Sequence, residues 1–369
     1  MNIIIGIVRI ILNIIYGIMK LFPKKDMVVI ASRQSDSKTL DIEMLEEKIK
    51  EVSPTTKVVV LCKKIPKGIG GKIGYCFHVL KQMWFMARAR AIVVDSYCIS
   101  VSFLRQRKST EIIQMWHALG AFKKFGKSIV GNGGEGRSEK VAKAMNMHGN
   151  YTKILTSGEI CKGPFMEAFG YTEKSMVIGS LPRVDLLKSK SYAEAKKAEI
   201  HKVYGDIIGD RKVVVYAPTF RKGKSMASEI KALADSLDKG KYAFVLKKHP
   251  LMETPEMDGV IVDSQFTTLE MLFAADYVVC DYSAIVYEAA LAEKPLFFYA
   301  YDLDDYTGNR DFYLDYEKDM PGFIGRTGEE IAGAIEGENY DLSRVKAFAD
   351  EYVEVQEDCT KKLAEIILS

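Results

Sequence analysis

The hydrophobic positions in the first half of the chain form short unbroken runs that are separated by amphipathic or polar segments. The runs are rich in Val and Ile, which favour buried strands, and the segments at 40–51 and 75–90 have the spacing of helices. A strand that is apolar on both faces indicates a parallel sheet covered by helices on both sides. The predicted strands of this half are residues 27–31, 57–61, 91–95, 111–116 and 153–156.

The same pattern begins again after a polar segment at 186–210, which is rich in Lys and Ala and lacks a strong apolar face. The repetition predicts an α/β protein with two Rossmann-type domains, at 24–185 and 211–369, joined by a helical linker at 186–210. The predicted strands of the second half are 212–217, 242–247, 259–262, 277–280 and 295–299, and its predicted helices are 226–238, 267–274, 284–292 and 328–336.

The first 22 residues are mostly apolar, and their six other residues fall on one narrow stripe of a helix. The stripe contains Asn2, Gly6, Arg9, Asn13, Gly17 and Lys20. Residues 1–23 are therefore predicted to form a membrane-associating amphipathic helix, with the stripe and its cations Arg9 and Lys20 towards the lipid headgroups. A helix that spans the bilayer is a second interpretation, although Arg9 would be costly there. A helix that caps the first domain or contacts another copy is a third. A cleaved signal peptide is disfavoured, because no small-residue cleavage site follows.

The charge of the chain is nearly balanced, with 52 Lys and Arg against 49 Asp and Glu and a formal net charge of +3. This balance argues against a nucleic-acid-binding protein, which would have a strongly basic domain. The six cysteines are scattered without a CxxC pair, and no HExxH or EF-hand spacing occurs, so neither a disulfide framework nor a bound metal is expected. Scattered free thiols favour a cytosolic-facing protein. Together with the N-terminal helix, they predict a peripheral protein on the cytoplasmic face of the membrane.

Ligands of parallel α/β sheets bind at the carboxyl ends of the strands, so polar residues at these ends are the candidate site residues. The strand at 111–116 is followed by His117, whose side chain titrates near neutrality and is suited to accept a proton from an attacking hydroxyl. Three lysines of the same loop, Lys123, Lys124 and Lys127, form a candidate basic surface for an anionic acceptor. The alternative is a surface loop whose lysines are solvated.

In the second half, three strand ends carry polar groups that suit a diphosphate. Ser283 is expected to be the N-cap of the helix that follows it, and the N–H groups of that helix start would face a ligand. Taken singly, each group also has a structural interpretation, such as a cap for Ser283 or a turn residue for Asp281. The candidate residues are Thr219, Arg221, Lys248, His249, Asp281 and Ser283.

The motifs around these strand ends resemble those of the CDP-glycerol glycerophosphotransferase family, the teichoic-acid primases and polymerases of Gram-positive bacteria. The resemblance covers about residues 110–325 and rests on the number and order of the motifs. One departure is Ala118, where the family usually has glycine, and the proline of the family's loop is also missing. The matching segments are 114–117, 156–157, 167–171, 179–185, 216–221, 248–250, 281–284, 294–299 and parts of 302–322.

The resemblance implies a GT-B-like pair of Rossmann domains with the donor mainly on the C-terminal one. It implies that a hydroxyl of a polyprenyl-diphosphate-linked acceptor attacks the β-phosphorus of CDP-glycerol and releases CMP. No cofactor is expected. By the same comparison His117 is the candidate base, and His249 contacts the diphosphate. The donor-pocket residues implied in this way are Thr219, Arg221, Lys248, Asp281, Ser283 and Glu288.

The resemblance leaves the exact function open in several respects. CDP-ribitol presents the same diphosphate as CDP-glycerol, so either could be the donor. The chain could also be a nucleotide-sugar glycosyltransferase of the same fold, or a non-catalytic subunit of a wall-polymer complex. The sequence also leaves open the choice between a primase and a polymerase and the formation of a homo-oligomer.

Overall fold

The structure, a computed structural model, describes residues 2–131, 138–221, 223, 225–248, 257–309 and 311–369. The chain forms two compact units. Unit 1 contains Met1–Leu119, Lys124–Asp185 and Glu354–Ser369. Unit 2 contains Gly120–Lys123 and Leu186–Val353.

Each unit is built around a parallel sheet that has six strands among the described residues, which confirms the predicted fold class. The strands are β1 Met27–Ser32, β2 Lys57–Cys62, β3 Ala91–Val94, β4 Glu111–Gln114, β5 Lys153–Thr156, β6 Met176–Ile178, β7 Lys212–Ala217, β8 Tyr242–Lys247, β9 Val260–Asp263, β10 Tyr277–Cys280, β11 Leu296–Tyr299 and β12 Phe323–Gly325. The strand order is β2-β1-β3-β4-β5-β6 in unit 1 and β12-β11-β10-β7-β8-β9 in unit 2.

Helices connect the strands and cover the sheets. They are α1 Asn2–Met19, α2 Leu40–Val52, α3 Ile69–Met86, α4 Ile99–Ser102, α5 Glu139–Ala144, α6 Lys162–Phe169, α7 Arg183–Lys188, α8 Lys190–Ile208, α9 Ala227–Ser236, α10 Thr268–Ala274, α11 Ile285–Leu291, α12 Leu303–Asn309, α13 Tyr316–Asp319, α14 Gly328–Glu336, α15 Leu342–Tyr352 and α16 Cys359–Leu368. Because helices lie on both faces, the strand side chains are buried whichever way they point, as for Val28 and Val29 of β1. The hydrophobic pattern does not predict β6 and β12, since a three-residue strand is too short to show periodicity.

The N-terminal helix α1 packs on α3, where Tyr16 is buried against Met83 and Ala87. Its polar stripe lies against the loop at 103–107, which differs from the expected orientation towards lipid headgroups. Asn13 Oδ1 accepts a hydrogen bond from the Arg105 N–H at 2.7 Å, and Lys20 Nζ donates to the Arg105 carbonyl at 2.8 Å. The physical reason is that the backbone groups of this loop need partners, and the stripe supplies them.

The remaining stripe cation, Arg9, lies over the ring of Phe103 at 5.6 Å. The opposite face of α1 is exposed and apolar. None of the described helices combines the length and apolar character needed to cross a membrane. The exposed residues of this apolar face are Ile7, Ile10, Ile11, Ile14 and Ile18.

Two segments fall in a different unit or role from the one predicted. The C-terminal helix α16 belongs to unit 1, because it packs on α2 and the Asp185 carboxylate accepts hydrogen bonds from the N–H groups of Cys359 and Thr360 at 2.8 and 2.9 Å. The segment expected as a linker belongs to unit 2, where α8 packs on α10 and Tyr204 donates to Asp263 at 2.7 Å. Only one narrow side of α8 is buried, so its sequence looks polar overall.

Candidate active site

A sharp turn after β4 aims the candidate base of unit 1. Trp116 has a φ of +61°, in the left-handed region that bulky side chains rarely adopt. Its N–H donates to Gln114 Oε1 at 3.0 Å, and its ring stacks on Phe125 with the centroids 4.5 Å apart. These contacts hold the unusual backbone conformation, and the turn directs His117 towards the end of the neighbouring strand β3.

The imidazole of His117 is held by the residue that follows β3. Its Nδ1 lies 2.8 Å from the carbonyl oxygen of Asp95 and 3.2 Å from the side-chain amide of Gln34. The carbonyl oxygen only accepts hydrogen bonds, whereas the Gln34 amide can present either an N–H or its oxygen, so the closer carbonyl assigns the proton to Nδ1. Nε2 is then the nitrogen with a free lone pair, as a general base requires. Burial lowers the pKa of His117 below its ordinary value, and the Asp95 carbonyl and carboxylate only partly oppose this shift. The ring is therefore neutral near pH 7.

Two further groups of unit 1 surround this histidine. The side chain of Asp95 is only 3% exposed, its Oδ1 has no hydrogen-bond partner among the described residues, and burial raises its pKa. Arg183 pairs with the buried carboxylate of Asp41, with Nε 2.9 Å from Oδ2, and also donates to the His117 carbonyl at 3.4 Å. Arg183 thus ties the His117 loop to the start of α2.

The three candidate lysines of the loop after His117 lie in different surroundings. Lys123 belongs to unit 2, where its Nζ lies 5.1 Å from the ring centroid of Tyr306. Lys127 belongs to unit 1, with its Nζ 5.8 Å from the ring centroid of Tyr171, and burial lowers its pKa. Lys124 is a half-buried residue of unit 1. Lys123 and Lys127 thus each lie over an aromatic ring of their own unit.

In unit 2, Arg221 is the centre of a buried ionic cluster. It is 7% exposed, with Nη1 3.0 Å from Asp281 Oδ2 and Nε 2.8 Å from Asp302 Oδ2. Its guanidinium lies 4.9 Å from the ring centroid of Tyr282 and 4.8 Å from that of Tyr306. The ring centroid of Tyr301 lies 5.6 Å away as well. Because two carboxylates and three tyrosine rings surround Arg221, its contacts within the protein define the turn after β7.

The neighbouring strands β8, β7 and β10 bring their carboxyl ends to one edge of the unit 2 sheet. The Thr219 N–H donates to Asp281 Oδ1 at 2.9 Å, while Thr219 Oγ1 is buried with no hydrogen-bond partner in the described part of the chain. Lys248 follows β8 and is half-buried, whereas the preceding Lys247 is buried and pairs with Asp263. His249, the other candidate at this strand end, lies outside the described residues.

The helix start after β10 differs from the one predicted. α11 begins at Ile285 with Ala284 as its N-cap, so Ser283, the expected N-cap, lies one residue before the observed cap position. Ser283 Oγ accepts a hydrogen bond from the Ile285 N–H at 3.4 Å. Glu288 is buried within the helix.

Sequence reasoning missed the roles of Asp95, Asp41 and Gln114 around His117. An acidic residue directly after an unbroken apolar strand was the available signal for Asp95, and the motif at 114–117 was the signal for Gln114. For Asp41 the pairing with Arg183 spans 142 residues, and no local pattern indicates it. Within the described ranges, no group of three or more His, Cys, Asp or Glu side chains is arranged to hold a metal ion.

The whole fold is similar to that of known teichoic-acid enzymes. The solved structure of the wall teichoic acid polymerase TagF matches with a TM-score of 0.76 and 18% identity, covering 100% of this chain and 96% of that chain. This likeness identifies the fold as GT-B, with two Rossmann-like domains.

The chain is also similar in sequence to curated relatives. It is 31% identical over 357 residues to a teichoic acid ribitol-phosphate primase of Bacillus spizizenii, covering 93% of this chain and 91% of the primase. It is 34% identical to the teichoic acid ribitol-phosphate polymerase TarL of Staphylococcus aureus, covering 74% of this chain but only 50% of the polymerase. It is 26% identical to a teichoic acid glycerol-phosphate primase of Bacillus subtilis, covering 74% of this chain and 72% of that primase.

The match to a protein family extends over almost the full length. The sequence model of the CDP-glycerol:poly(glycerophosphate) glycerophosphotransferases matches residues 14–368. Because this match includes both units, with the strand ends that carry His117 and Arg221, the chain belongs to the CDP-glycerol:poly(glycerophosphate) glycerophosphotransferase family of teichoic-acid transferases.

Proposed function

We propose that the chain transfers glycerol phosphate from CDP-glycerol to a membrane lipid-linked acceptor in teichoic-acid synthesis and releases CMP. The acceptor hydroxyl forms a bond to the β-phosphorus of the donor, and the bond from that phosphorus to the bridging oxygen breaks, so the bridging oxygen leaves with CMP. His117 Nε2 takes the proton of the hydroxyl. The observation that carries the proposal is the 2.8 Å contact from Nδ1 to the Asp95 carbonyl, because it leaves Nε2 available as a base.

The donor diphosphate is assigned to the strand ends of unit 2. Lys248 supplies a half-buried cation there, and Thr219 Oγ1 supplies a buried hydroxyl with no described partner. Arg221 acts indirectly, since most of its N–H donors are already used by Asp281, Asp302 and the Thr219 carbonyl. Neutralising the phosphate charge and aligning the attacking and leaving oxygens are the main requirements of phosphoryl transfer.

A CDP-ribitol-dependent reaction is the second candidate. It is favoured by the 31% identity to a ribitol-phosphate primase, of which the chain spans 91%. The two donors differ only in the polyol beyond the β-phosphate, so the chemistry proposed for His117 is the same for both.

The test supplies purified protein with CDP-glycerol, CDP-ribitol or a UDP-sugar and a synthetic polyprenyl-diphosphate disaccharide acceptor. Released nucleotide and added units are counted by mass spectrometry. We expect CMP from one CDP-polyol, and a His117→Gln variant should lose at least about 100-fold in rate. His201→Gln, at an exposed histidine of α8, is the matched control and should keep the rate.

Each other outcome overturns part of the proposal. Release of a nucleotide only from the UDP-sugar would indicate a glycosyltransferase. No release from any donor would indicate a non-catalytic subunit. CMP release that is unchanged in His117→Gln would remove His117 from the reaction.

We also propose that unit 1 binds the cytoplasmic membrane surface through α1 and α3, as a peripheral protein. Both helices expose apolar side chains, among them Ile14 and Ile18 of α1 and Ile73 and Phe77 of α3. The segment after α1 meets α3 where Phe22 packs edge-on against Trp84, with centroids 5.0 Å apart. Exposed cations lie in the segment after α1 and in the neighbouring loop before β4, and their charge is complementary to that of anionic lipids. These cations are Lys24, Lys25, Arg105 and Lys108.

A further inference from the structure

A buried amide connects the two backbone segments that hold the candidate base. Gln114, the last residue of β4, is 0% exposed. Its Oε1 accepts from the Trp116 N–H at 3.0 Å, and its Nε2 donates to the Ser96 carbonyl at 3.3 Å. A backbone N–H can only donate and a carbonyl can only accept, so these two partners determine which way the amide points.

The second N–H of the amide donates a hydrogen bond to a buried network of side chains. Gln114 Nε2 donates to the hydroxyl oxygen of Tyr151 at 2.9 Å. The same hydroxyl lies 3.0 Å from Nδ1 of the buried His148 and can donate its proton there. Both protons of the Gln114 amide are therefore used, and the amide has one orientation that satisfies all its neighbours.

The partners of Gln114 are the immediate neighbours of the two groups that form the candidate base. Trp116 precedes His117 and has the strained φ of +61°. Ser96 follows Asp95, whose carbonyl accepts the His117 Nδ1 proton. One side chain thus holds the residues next to both ends of that hydrogen bond, in the segments that follow β3 and β4.

We propose that Gln114 is a positioning residue that keeps the His117 imidazole protonated on Nδ1 and directs Nε2 towards the acceptor hydroxyl. This inference rests on the proposed function, in which His117 is the base. Gln114 itself touches no substrate in this scheme. Its loss should misplace the imidazole by a fraction of an ångström to about an ångström, which is enough to slow a positioned proton transfer.

The test compares Gln114→Met, which removes all three hydrogen bonds at similar volume, with Gln82→Met. Gln82 of α3 is the matched control, since it is also a fully buried amide of unit 1. Its side chain accepts a hydrogen bond from Ser100 Oγ at 2.7 Å. We expect Gln114→Met to lower kcat by about 10- to 100-fold with the KM for the CDP-polyol unchanged. Gln82→Met should lower the urea midpoint similarly and keep kcat.

A spectroscopic measurement separates positioning from general destabilisation. In histidine-15N-labelled protein, the His117 ring is assigned by its loss in His117→Gln, and its spectrum reports which nitrogen carries the proton. Wild type and Gln82→Met should show protonation on Nδ1, whereas Gln114→Met should show a mixture of both tautomers. If Gln114→Met does not fold, Tyr151→Phe, which removes only one partner of the amide, is measured in its place.

The proposal is overturned if the folded variant keeps both the wild-type kcat and the wild-type Nδ1–H signal. It is equally overturned if Gln82→Met loses kcat as strongly as Gln114→Met. If wild-type protein releases no CMP, the proposed function has failed, and the tautomer measurement still decides whether Gln114 positions His117.

Discussion

The exposed apolar face of α1 allows a quantitative test of membrane binding. The substitution Ile11→Ser with Ile14→Ser removes two side chains from this face and leaves the packed side of the helix intact. In the protein without lipid these isoleucines are 51% and 59% exposed. Their replacement should therefore change the free energy of unfolding by less than about 0.5 kcal/mol each.

The expected loss of lipid affinity follows from the same exposure. Burying a whole isoleucine side chain contributes about 1.5 to 3 kcal/mol, so a side chain with half of its surface still available contributes about 1 kcal/mol on entering lipid. The pair then accounts for about 2 kcal/mol. Because 1.4 kcal/mol corresponds to a factor of ten, the double variant should bind lipid about 30-fold more weakly.

The assay is sedimentation with vesicles that contain phosphatidylglycerol, at low and high salt. The matched control is Ile160→Ser with Ile207→Ser, which changes two isoleucines of 41% and 56% exposure outside α1 and α3. The control should bind as wild type does. Ile73→Ser with Phe77→Ser tests the contribution of α3 and should also weaken binding.

Equal binding by wild type and the α1 variant would refute the reasoning, as would an equal loss in the control. If the α1 variant bound vesicles normally but sedimented as a smaller species in solution, the apolar face would instead contact another copy of the chain. Higher salt should weaken wild-type binding, because salt screens the attraction between anionic lipids and the cations of residues 24–25 and 105–108.

Three further outcomes are expected. Asp302→Asn should lower the free energy of unfolding by about 2 kcal/mol in urea, because it removes a carboxylate from the buried Arg221. Burial raises the pKa of Asp302, but the ion pair with Arg221 has the larger effect and lowers it below 3.8. The stability difference between wild type and variant should therefore be full above about pH 4 and shrink as the pH falls below it. A stability difference that grew in acid would contradict the ion pair. Gly120→Ala should lower the free energy of unfolding by about 1 to 3 kcal/mol, since the new Cβ would lie only 2.7 Å from Cε2 of the buried Tyr287, and an unchanged urea midpoint would show that the ring moves aside freely. Burial lowers the pKa of His117 below 6.5, so kcat/KM should rise with pH through a pKa below 6.5, and a midpoint above 7 would point to another base.

Much of the fold was predictable because a buried segment has a recognisable pattern of apolar residues in the sequence. A strand covered on both faces must be apolar at every position, which is why the predicted strands 212–217 and 277–280 coincide with β7 and β10. The segment at 186–210 shows that this pattern is weak where a helix is buried on only one side. Since only one narrow side of α8 is buried, the composition indicated a linker although the helix packs in unit 2.

The candidate site was predictable only as a set of residues at strand ends. The position of His117 after β4 follows from the pattern, because ligands bind where parallel strands end. Its function as a base depends on the Asp95 carbonyl, which is 22 residues away in sequence. Likewise, the sequence indicated that Arg221 is near the donor, but not that Asp302, 81 residues later, would pair with its guanidinium.

The sequence by itself therefore determined which segments are buried, that the sheets are parallel and which strand ends carry polar groups. Only the tertiary structure decided the partners: Gln114 with Ser96 and Trp116, Arg221 with its carboxylates, and the α1 stripe with the loop at 103–107. The physical reason is that periodicity along the chain reports how strongly each position avoids water. A hydrogen bond or ion pair depends on the distance between two groups, and folding alone brings together groups that lie far apart in the sequence.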